Sequence, residues 1–257
     1  MALAARNVSL VLSGAPLLDA IDLAVQPGQV TAVLGPNGAG KTSLLRVLTG
    51  ELAPGGGEVM LDDKPLHSWP SVARARSLAV LPQQSLLNFP FHAEEVVMLG
   101  RTPHDTGRQH DEEIVRQALA AVDCDYLARR PYTHLSGGEK QRVQLARVLA
   151  QVWEPVPGAE RYLVLDEPTS SLDLAHQQLT QEVVRKLAAR NVGVLIVLHD
   201  LNLAARCADQ LVLLQCGRIA VSGAPRDVLT EQNVNAVFQV NARIGEHPED
   251  GKPLVIT

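Results

Sequence analysis

A glycine-rich octet, Gly35–Thr42, constrains the fold of this chain more than any other feature of the sequence. It reads GPNGAGKT and matches the pattern G-x-x-x-x-G-K-[ST], with an apolar run, Gln29–Leu34, before it and a stretch of helical spacing, Lys41–Gly50, after it. This order predicts a strand, a loop and a helix. An accidental match is about a one-in-a-hundred event at average glycine usage, so we interpret the octet as a phosphate-binding loop.

The glycines of this loop allow the backbone itself to bind phosphate. Because they lack a Cβ, backbone N–H groups can turn toward phosphate oxygens, and the following helix points its positive end at the same anion. We expect Lys41 to reach the outer phosphates of a nucleotide and Thr42 to ligate Mg²⁺. The predicted nucleotide-binding residues of this segment are Gly35, Pro36, Asn37, Gly38, Ala39, Gly40, Lys41, Thr42 and Ser43.

Two acidic residues follow a second apolar strand, Tyr162–Leu165. Asp166 at the strand tip is placed to hold Mg²⁺, and Glu167, one residue further, is placed to polarise an attacking water. A strand that ends in a solvated acidic turn is the alternative interpretation. The phosphate-binding loop elsewhere in the chain favours the metal and the water.

The segment Leu135–Arg142 reads LSGGEKQR and predicts the start of a helix. Ser136 is a suitable N-cap, and Glu139 stands at the N3 position of a capping box. A well-capped helix start is one interpretation. A helix N-terminus that exposes glycine N–H groups is also an anion site, and the spacing alone leaves both interpretations open.

The rest of the chain alternates buried apolar strands with helices, which predicts an α/β fold with a mostly parallel sheet. Asn7–Leu12 and Ile21–Val25 are predicted strands of an antiparallel β margin, and Cys216-Gly217 is a predicted hairpin turn. Residues 92–150 are predicted to be mostly helical, and Asp111–Val122 spaces its apolar residues along one face.

Composition excludes several classes of function. A net charge of -5 and an aromatic content of 3% argue against a protein that coats nucleic acid or stacks bases. The apolar runs are too short to span a bilayer, and the first residues lack the apolar core of a secretory signal, so we expect any action at a membrane to pass through a partner. Cys124, Cys207 and Cys216 are predicted to be buried thiols.

The segment Leu135–Arg142 resembles the signature motif of ABC-type ATPases, which usually reads LSGGQ, with Glu139 here in the fifth position. The other motifs of that family follow in order. Gln83 matches the Q-loop glutamine, Ser170–Asp173 resembles the D-loop, and His199 matches the switch histidine. The resemblance covers about residues 7–223 and identifies the fold as a P-loop NTPase of ABC type.

The resemblance implies an ATPase that works as a head-to-tail pair with a second copy of itself. Each ATP is held by the phosphate loop of one chain and by the signature motif and D-loop of the other. Glu167 is the implied base, His199 holds the γ-phosphate and the water, and Gln83 senses Mg²⁺ and couples to a partner. The implied metal ligands are therefore Thr42, Gln83 and Asp166, and the implied ATP contacts outside the phosphate loop are Ser136, Gly137, Gly138, Glu139 and Asp173.

The domain boundaries expected from this resemblance place one nucleotide-binding domain over residues 1–257. The ATPase core takes about 1–91 and 155–225, a helical signature subdomain takes about 92–154, and a C-terminal extension takes 226–257. One departure concerns the nucleotide base. The family stacks adenine on an aromatic residue, whereas Leu10–Gly14 contains none, so either base selectivity is weak or adenine contacts an aliphatic side chain.

Three other kinds of ABC-type protein are alternatives to the ATPase subunit of a membrane transporter. Proteins of DNA repair or chromosome structure insert a coiled coil or a zinc motif between the two nucleotide motifs, but the segment between Lys41 and Ser136 has neither heptads nor a CxxC. Translation factors fuse two ATPase domains, whereas this chain has one phosphate loop. A scaffold without hydrolysis conflicts with the intact Asp166, Glu167 and His199. The ATPase subunit of a membrane transporter is the interpretation that remains.

Within transporters, Leu81–Gln83 and Met98–Arg101 resemble bacterial importers of iron-siderophore, cobalamin and heme. Gln144–Trp153, followed by the insert Glu154–Glu160, and Leu172–Gln177 resemble the heme importers among them. The resemblance implies heme or a related iron or tetrapyrrole compound as cargo, with a siderophore or cobalamin as the alternative.

The same resemblance implies the partners and the location. The partners are a transmembrane permease dimer and, indirectly, a periplasmic or cell-surface substrate-binding protein, with no nucleic acid. The location is the cytoplasmic face of the inner membrane, as a peripheral protein. We expect His67, His92, His104 and His110 to be surface or packing residues, and we do not expect the chain itself to bind heme.

Overall fold

The computed structural model describes residues 1–83, 87 and 89–257. Its strands form a six-stranded central sheet, a four-stranded antiparallel sheet and a two-stranded hairpin. In chain order the strands are β1 (Leu3–Leu12), β2 (Ala15–Val25), β3 (Val30–Leu34), β4 (Gly56–Leu61), β5 (Lys64–Pro65), β6 (Leu78–Leu81), β7 (Arg161–Asp166), β8 (Val192–Val197), β9 (Gln210–Gln215), β10 (Arg218–Gly223), β11 (Arg243–Glu246) and β12 (Pro253–Ile256).

Helices separate the strands of the central sheet, as the alternation of patterns predicts. The α-helices are α1 (Lys41–Leu48), α2 (Ser71–Ser77), α3 (Ala93–Met98), α4 (Arg108–Ala121), α5 (Gly137–Gln151), α6 (Leu174–Ala189), α7 (Leu201–Cys207), α8 (Pro225–Val228) and α9 (Glu231–Phe238). Short 3₁₀ helices lie at Leu66–Ser68, Leu99–Arg101, Asp125–Leu127 and Tyr132–His134.

The central sheet has the strand order β10-β9-β3-β8-β7-β6. All neighbouring pairs are parallel except β9 and β10, which form a hairpin. Every residue of β3, β7 and β8 is buried, because helices or the second sheet cover both faces of a parallel sheet. The predicted mostly parallel α/β fold with an antiparallel margin is therefore confirmed.

The antiparallel sheet, β2-β1-β4-β5, extends further than the sequence pattern indicates. β1 begins at Leu3 rather than Asn7, and β2 begins at Ala15 rather than Ile21. The physical reason is irregular pairing. Three register shifts interrupt the β1–β2 ladder, and Asn7 and Ala20 have φ angles of +48° and +51°, so the alternation of apolar residues is broken.

The predicted helical region is present between β6 and β7. Helices α3, α4 and α5 pack on one another around residues such as Val96, Leu119 and Val143, all of which are at least 99% buried. Gly100 lets α5 approach closely, because a Cβ at this position would lie 2.1 Å from Arg147 O. The helix predicted over Asp111–Val122 begins slightly earlier, at Arg108, and buries the predicted apolar face.

The three cysteines do not share one environment. Cys124 and Cys207 are buried as predicted, and burial raises the pKa of each thiol to about 12. The prediction is wrong for Cys216, which is exposed. Its φ of +48° places it in the tight turn between β9 and β10, where the chain reverses at the surface.

The C-terminal residues pack on helix α7. The side-chain amide of Asn202 donates to Val255 O at 3.0 Å and accepts from Val255 N at 2.7 Å, so it bonds the β11–β12 hairpin to the helix. Among the described residues, no helix is both long and apolar enough to cross a bilayer.

Candidate functional site

The carboxyl ends of four neighbouring parallel strands, β6, β7, β8 and β3, meet at one edge of the central sheet. Gln83 follows β6, Glu167 follows β7, His199 follows β8 and Gly35 follows β3, each within two residues of the strand end. Ligands of parallel α/β sheets bind in the crevice outside this edge. The topology therefore brings the phosphate loop and three polar residues, distant in the chain, to one site.

The phosphate loop needs glycine at two close approaches. A Cβ on Gly35 would lie 2.2 Å from Leu214 O, and a Cβ on Gly40 would lie 2.7 Å from Leu17 O. Gly40 also has a φ of +103°, which an L side chain rarely adopts, and helix α1 begins at the next residue, Lys41. The loop is thus a compact turn whose amides and helix N-terminus lie together.

The ammonium group of Lys41 lies inside this loop. Nζ donates to Gly35 O at 2.8 Å and to Pro36 O at 3.0 Å, and the residue is 7% exposed. Burial lowers the pKa of Lys41, while the negative charges of Glu167 and Asp166 act in the opposite direction. The lysine charge is therefore fixed at the centre of the loop, where a phosphate anion would meet it.

Asp166 has a buried oxygen without a partner. The residue is 5% exposed, and its Oδ1 makes no hydrogen bond within the described part of the chain. Burial raises the pKa of this carboxyl, and a hydrogen bond with Thr42 opposes that rise. Thr42, Gln83 and Asp166 line one cleft of about 520 Å³. A hydroxyl, an amide and an orphaned carboxylate oxygen at one cleft are hard oxygen donors of the kind that Mg²⁺ prefers.

The side chain of Glu167 lies between two polar neighbours. Gln83 Nε2 donates to Glu167 Oε2 at 2.9 Å, and His199 Nε2 lies 2.5 Å from Glu167 Oε1. Glu167 has a φ of +51°, a left-handed conformation that costs free energy for a residue other than glycine. The structure therefore brings together the three residues that the resemblance implies as catalytic.

The predicted capping box at the start of α5 is confirmed. Ser136 Oγ accepts from Glu139 N at 3.3 Å, and Glu139 Oε2 accepts from Ser136 N at 2.7 Å. These hydrogen bonds hold the pKa of Glu139 below its ordinary value. A Cβ on Gly137 would meet nothing within 4 Å, so the helix start is open to solvent. Within the described ranges, no hydrogen bond joins this segment to the phosphate loop of the same chain.

The D-loop lies against the start of α5. A Cβ on Gly138 would lie 3.2 Å from Ser171 O, and Asp173 caps helix α6 by accepting from His176 N at 2.9 Å. The ring of His176 contacts Asp173 on one side and faces Asp123, which follows α4, on the other. In the sequence, His176 is notable only as part of the segment Leu172–Gln177, although an N-cap aspartate followed by a histidine three residues later is a local signal of such a contact.

The segment Leu10–Gly14, which contains no aromatic residue, forms the end of β1 and the turn into β2. Val11 and Leu12 are 60% and 51% exposed there, so the surface at the β1–β2 turn is aliphatic.

Among the described residues, no group of three or more His, Cys, Asp and Glu side chains forms a metal cluster. The candidate magnesium ligands above include only one carboxylate, which suits a cation shared with substrate phosphates.

Comparison with known proteins agrees with this geometry. The model of the family described as ABC transporter matches residues 18–170. The solved structure of a protein described as a metal-chelate type ABC transporter, in an inward-facing conformation, superposes with a TM-score of 0.80 at 28% identity and covers 99% of this chain and 96% of that one.

Two relatives are similar over nearly their whole length. Hemin import ATP-binding protein HmuV of Pseudomonas entomophila (strain L48) is 56% identical over 241 residues, which cover 94% of each chain. The protein of the same name from Pseudomonas aeruginosa is 51% identical over 251 residues, which cover 98% of each chain. The family match spans more than half of the chain and these identities are high, so this chain belongs to the ABC transporter family, as one of its ATP-binding proteins.

Proposed function

We propose that this chain hydrolyses ATP to power the import of hemin through a partner membrane permease. As a member of the ABC transporter family the chain is an ATPase, and the observation that carries its hydrolytic chemistry is the Glu167 carboxylate between Gln83 and His199, beside the phosphate loop. The names of the relatives that are 51% and 56% identical support hemin as the cargo. The cargo rests on similarity alone, because an ATPase subunit need not touch what is transported.

In this proposal the phosphate loop holds the triphosphate. The amides of Gly38 to Ser43 surround the phosphate oxygens, and the α1 N-terminus adds its positive dipole. Lys41 already lies at the loop centre and exchanges its bonds with Gly35 O and Pro36 O for bonds with the outer phosphates. Phosphoryl transfer asks for positioning and charge stabilisation rather than covalent chemistry, and these groups supply both.

Thr42, Gln83 and Asp166 are the residues that would hold Mg²⁺. The unpartnered Oδ1 of Asp166 supports this assignment, because a buried carboxylate oxygen without a partner is costly unless a cation or water satisfies it. When bound, Mg²⁺ would neutralise charge on the β- and γ-phosphate oxygens. A hydrogen bond with Thr42 orients the carboxyl group of Asp166.

Glu167 acts as the general base in this mechanism. Its carboxylate is 12% exposed and accepts from Gln83, so it has a fixed direction and spare lone pairs for an attacking water. His199 is half exposed, and its ring can contact both Glu167 and the γ-phosphate. Gln83 touches Glu167 and lines the cleft of Thr42 and Asp166, so it is placed to link metal binding to the base.

Two copies of the chain complete the site in this proposal. The helix start of Ser136, Gly137, Gly138 and Glu139 is an open, capped anion site, yet in the described part of the chain it makes no hydrogen bond to its own phosphate loop. One chain carries one copy of each motif, so a symmetric pair supplies two equivalent composite sites, with Asp173 at the same interface. Loss of the γ-phosphate on hydrolysis then opens the pair.

The permease is proposed to dock near residues 85–92. Phe89 and Phe91 are 63% and 39% exposed with ring centroids 6.0 Å apart, which gives an apolar contact close to Gln83 in the chain. Ser85, Leu86 and Asn88 of this segment lie outside the described residues. A peripheral location at the cytoplasmic face of the inner membrane and an indirect link to a substrate-binding protein complete the proposal.

The proposed organisation is a single nucleotide-binding domain over residues 1–257. Its core takes about 1–91 and 155–225, with the signature subdomain at about 92–154 and the extension at 226–257. Adenine is proposed to pack on the exposed aliphatic side chains of Val11 and Leu12, because no aromatic residue is present in that segment.

We expect hemin to stimulate the complex without binding this chain. Heme proteins hold the iron through an axial ligand in an apolar pocket, and none of the eight histidines, all of which are described, is buried. Titration of the purified chain with hemin should give no saturable one-to-one shift of the Soret band. In vesicles with the permease and the binding protein, hemin should raise the ATPase rate and accumulate only with ATP.

The same vesicles distinguish the cargoes. Stimulation by a ferric siderophore or by cobalamin, but not by hemin, would contradict hemin as cargo and leave the transport ATPase intact. A saturable Soret shift with the isolated chain would contradict the prediction that the chain does not bind the cargo. Hydrolysis that no cargo stimulates in any vesicle would contradict the coupling to import.

A further inference from the structure

The side chain of His176 lies between two carboxylates that belong to different parts of the fold. Its Nδ1 lies 2.7 Å from Oδ1 of Asp173, the D-loop residue that caps α6. Its Nε2 lies 3.8 Å from Oδ2 of Asp123, which follows α4 in the helical region. The ring is 26% exposed, whereas the two carboxylates are 68% and 65% exposed. One imidazole therefore spans the gap between the D-loop and the helical region.

Asp123 is in turn fixed to the signature helix α5. Arg142, six residues after Ser136, is 5% exposed and donates to the main-chain carbonyls of Asp123 and, at 3.3 Å, of Val122. Its Nη1 also lies 3.7 Å from Asp123 Oδ2. Because the arginine is buried and bonded to the backbone of this turn, any movement of α5 carries Asp123 with it.

The D-loop and the signature helix also lie close together. Ser171 O lies 3.2 Å from the position of a Cβ on Gly138, and a methyl group of Leu172 lies 3.7 Å from it. A side chain at position 138 would therefore crowd the D-loop, and the His176 bridge opposes separation of the two segments. Together the close packing and the bridge constrain the spacing between Ser136 and Asp173.

We propose that His176 is a positioning residue for ATP hydrolysis, which holds the D-loop and the signature helix of one chain in register. The inference rests on the two-chain site proposed above, in which Ser136 and Asp173 of one chain both act on the nucleotide of the other. Such a site requires a fixed spacing between them, since misplacement of a positioning group lowers the rate of the chemical step. In the described part of the chain the side chain of His176 makes no hydrogen bond or ion pair with Glu167, so in this proposal it acts through Asp173 and Asp123.

The test compares single and double variants of the full chain in steady-state ATP hydrolysis. His176→Ala removes the bridge, and Asp123→Gly removes its far carboxylate while glycine tolerates the φ of +54° at this position and keeps the carbonyl that Arg142 contacts. Each change should lower kcat about fivefold and leave the KM for ATP within about twofold, because coupling residues typically act on this scale. The double variant should be no slower than either single variant, because both changes break the same bridge.

A third variant separates the two arms of the bridge. Asn at position 176 retains a donor near the place of Nδ1, so His176→Asn keeps the contact with Asp173 and loses the one with Asp123. We expect it to be as slow as Asp123→Gly. A His176→Asn chain with the wild-type kcat would overturn the bridge and leave only a helix cap.

The control is His110→Ala, which deletes a comparable histidine–carboxylate contact, 2.7 Å from His110 Nε2 to Glu154 Oε1, on the outer surface of α4. It should keep the wild-type kcat and KM. Additive losses in the double variant, or a rise in KM that matches the fall in kcat, would also overturn the inference. A wild-type chain without ATPase activity would contradict the proposed function instead, so the two failures are distinct.

Discussion

Glu167→Gln is expected to bind ATP as the wild type does and to hydrolyse it at least about a hundredfold more slowly. General-base catalysis typically contributes this factor or more, and an amide cannot accept the proton of the attacking water. The replacement has the size of the original side chain, and its amide can still bond to Gln83 and His199. The phosphate loop and Lys41 are unchanged, so the affinity for ATP is retained.

The consequence for assembly is a trapped pair. Because the γ-phosphate persists, two Glu167→Gln chains should remain closed around ATP and Mg²⁺, and light scattering after gel filtration should report twice the mass of the chain. Glu113→Gln is a matched control, since Glu113 is an exposed glutamate on α4 that pairs with Arg116, and it should hydrolyse ATP normally. Hydrolysis by Glu167→Gln at a near-normal rate would show that another group is the base.

The sequence predicted those parts of the fold and site that depend on contiguous residues. The phosphate loop, the capping box of Ser136 and Glu139, and the apolar parallel strands each have a local pattern, and local patterns constrain local structure strongly. The resemblance of the ordered motifs to ABC-type ATPases then implied which residues form the site, and the structure brings Gln83, Glu167 and His199 together where the parallel strands end.

The contacts that the sequence did not predict join residues far apart in the chain. Gln83 and Glu167 are 84 positions apart in the sequence. Their side chains meet because β6 and β7 are neighbours in the sheet, which no local pattern indicates. The same holds for His176 and Asp123, whose contact requires α6 and the turn after α4 to meet. Irregular backbone in β1 and β2 was also missed, because the positive φ of Asn7 and of Ala20 changes the direction of the chain without a glycine to indicate it.

Ser136→Arg is the second change with a large expected effect, and it tests whether the site is shared between chains. Ser136 is exposed and lies at the N-cap of α5, so an arginine there projects into the region where the proposed partner brings its γ-phosphate. Loss of the cap costs only about 1 kcal/mol, which a 15-residue packed helix tolerates. The variant should therefore fold and bind ATP at its own phosphate loop, while its hydrolysis falls by at least about a hundredfold.

A matched control repeats this chemistry outside the site. Thr230 caps α9 through Oγ1, which accepts from Asn233 N at 3.2 Å, so Thr230→Arg also replaces an N-cap hydroxyl with a long cation. Its ATPase rate should equal that of the wild type. Equal losses in the two variants would mean that a broken cap, rather than a blocked phosphate, explains the effect of Ser136→Arg.

Mixed pairs of two inactive variants decide between a shared site and a site within one chain. One chain carries Ser136→Arg and the other carries Lys41→Ala, which removes the ammonium group from the phosphate loop. In a shared arrangement the intact loop of the first chain faces the intact signature helix of the second, so one site per pair is whole and the other has both defects. With chains bearing different tags, tandem purification after trapping should recover pairs that occlude one ATP, whereas neither variant alone should occlude any. If both motifs served the same chain, each chain would carry one defect and no ATP would be occluded. Two occluded ATP molecules per mixed pair would show that neither change blocks the site, and the two-chain arrangement would lose its support.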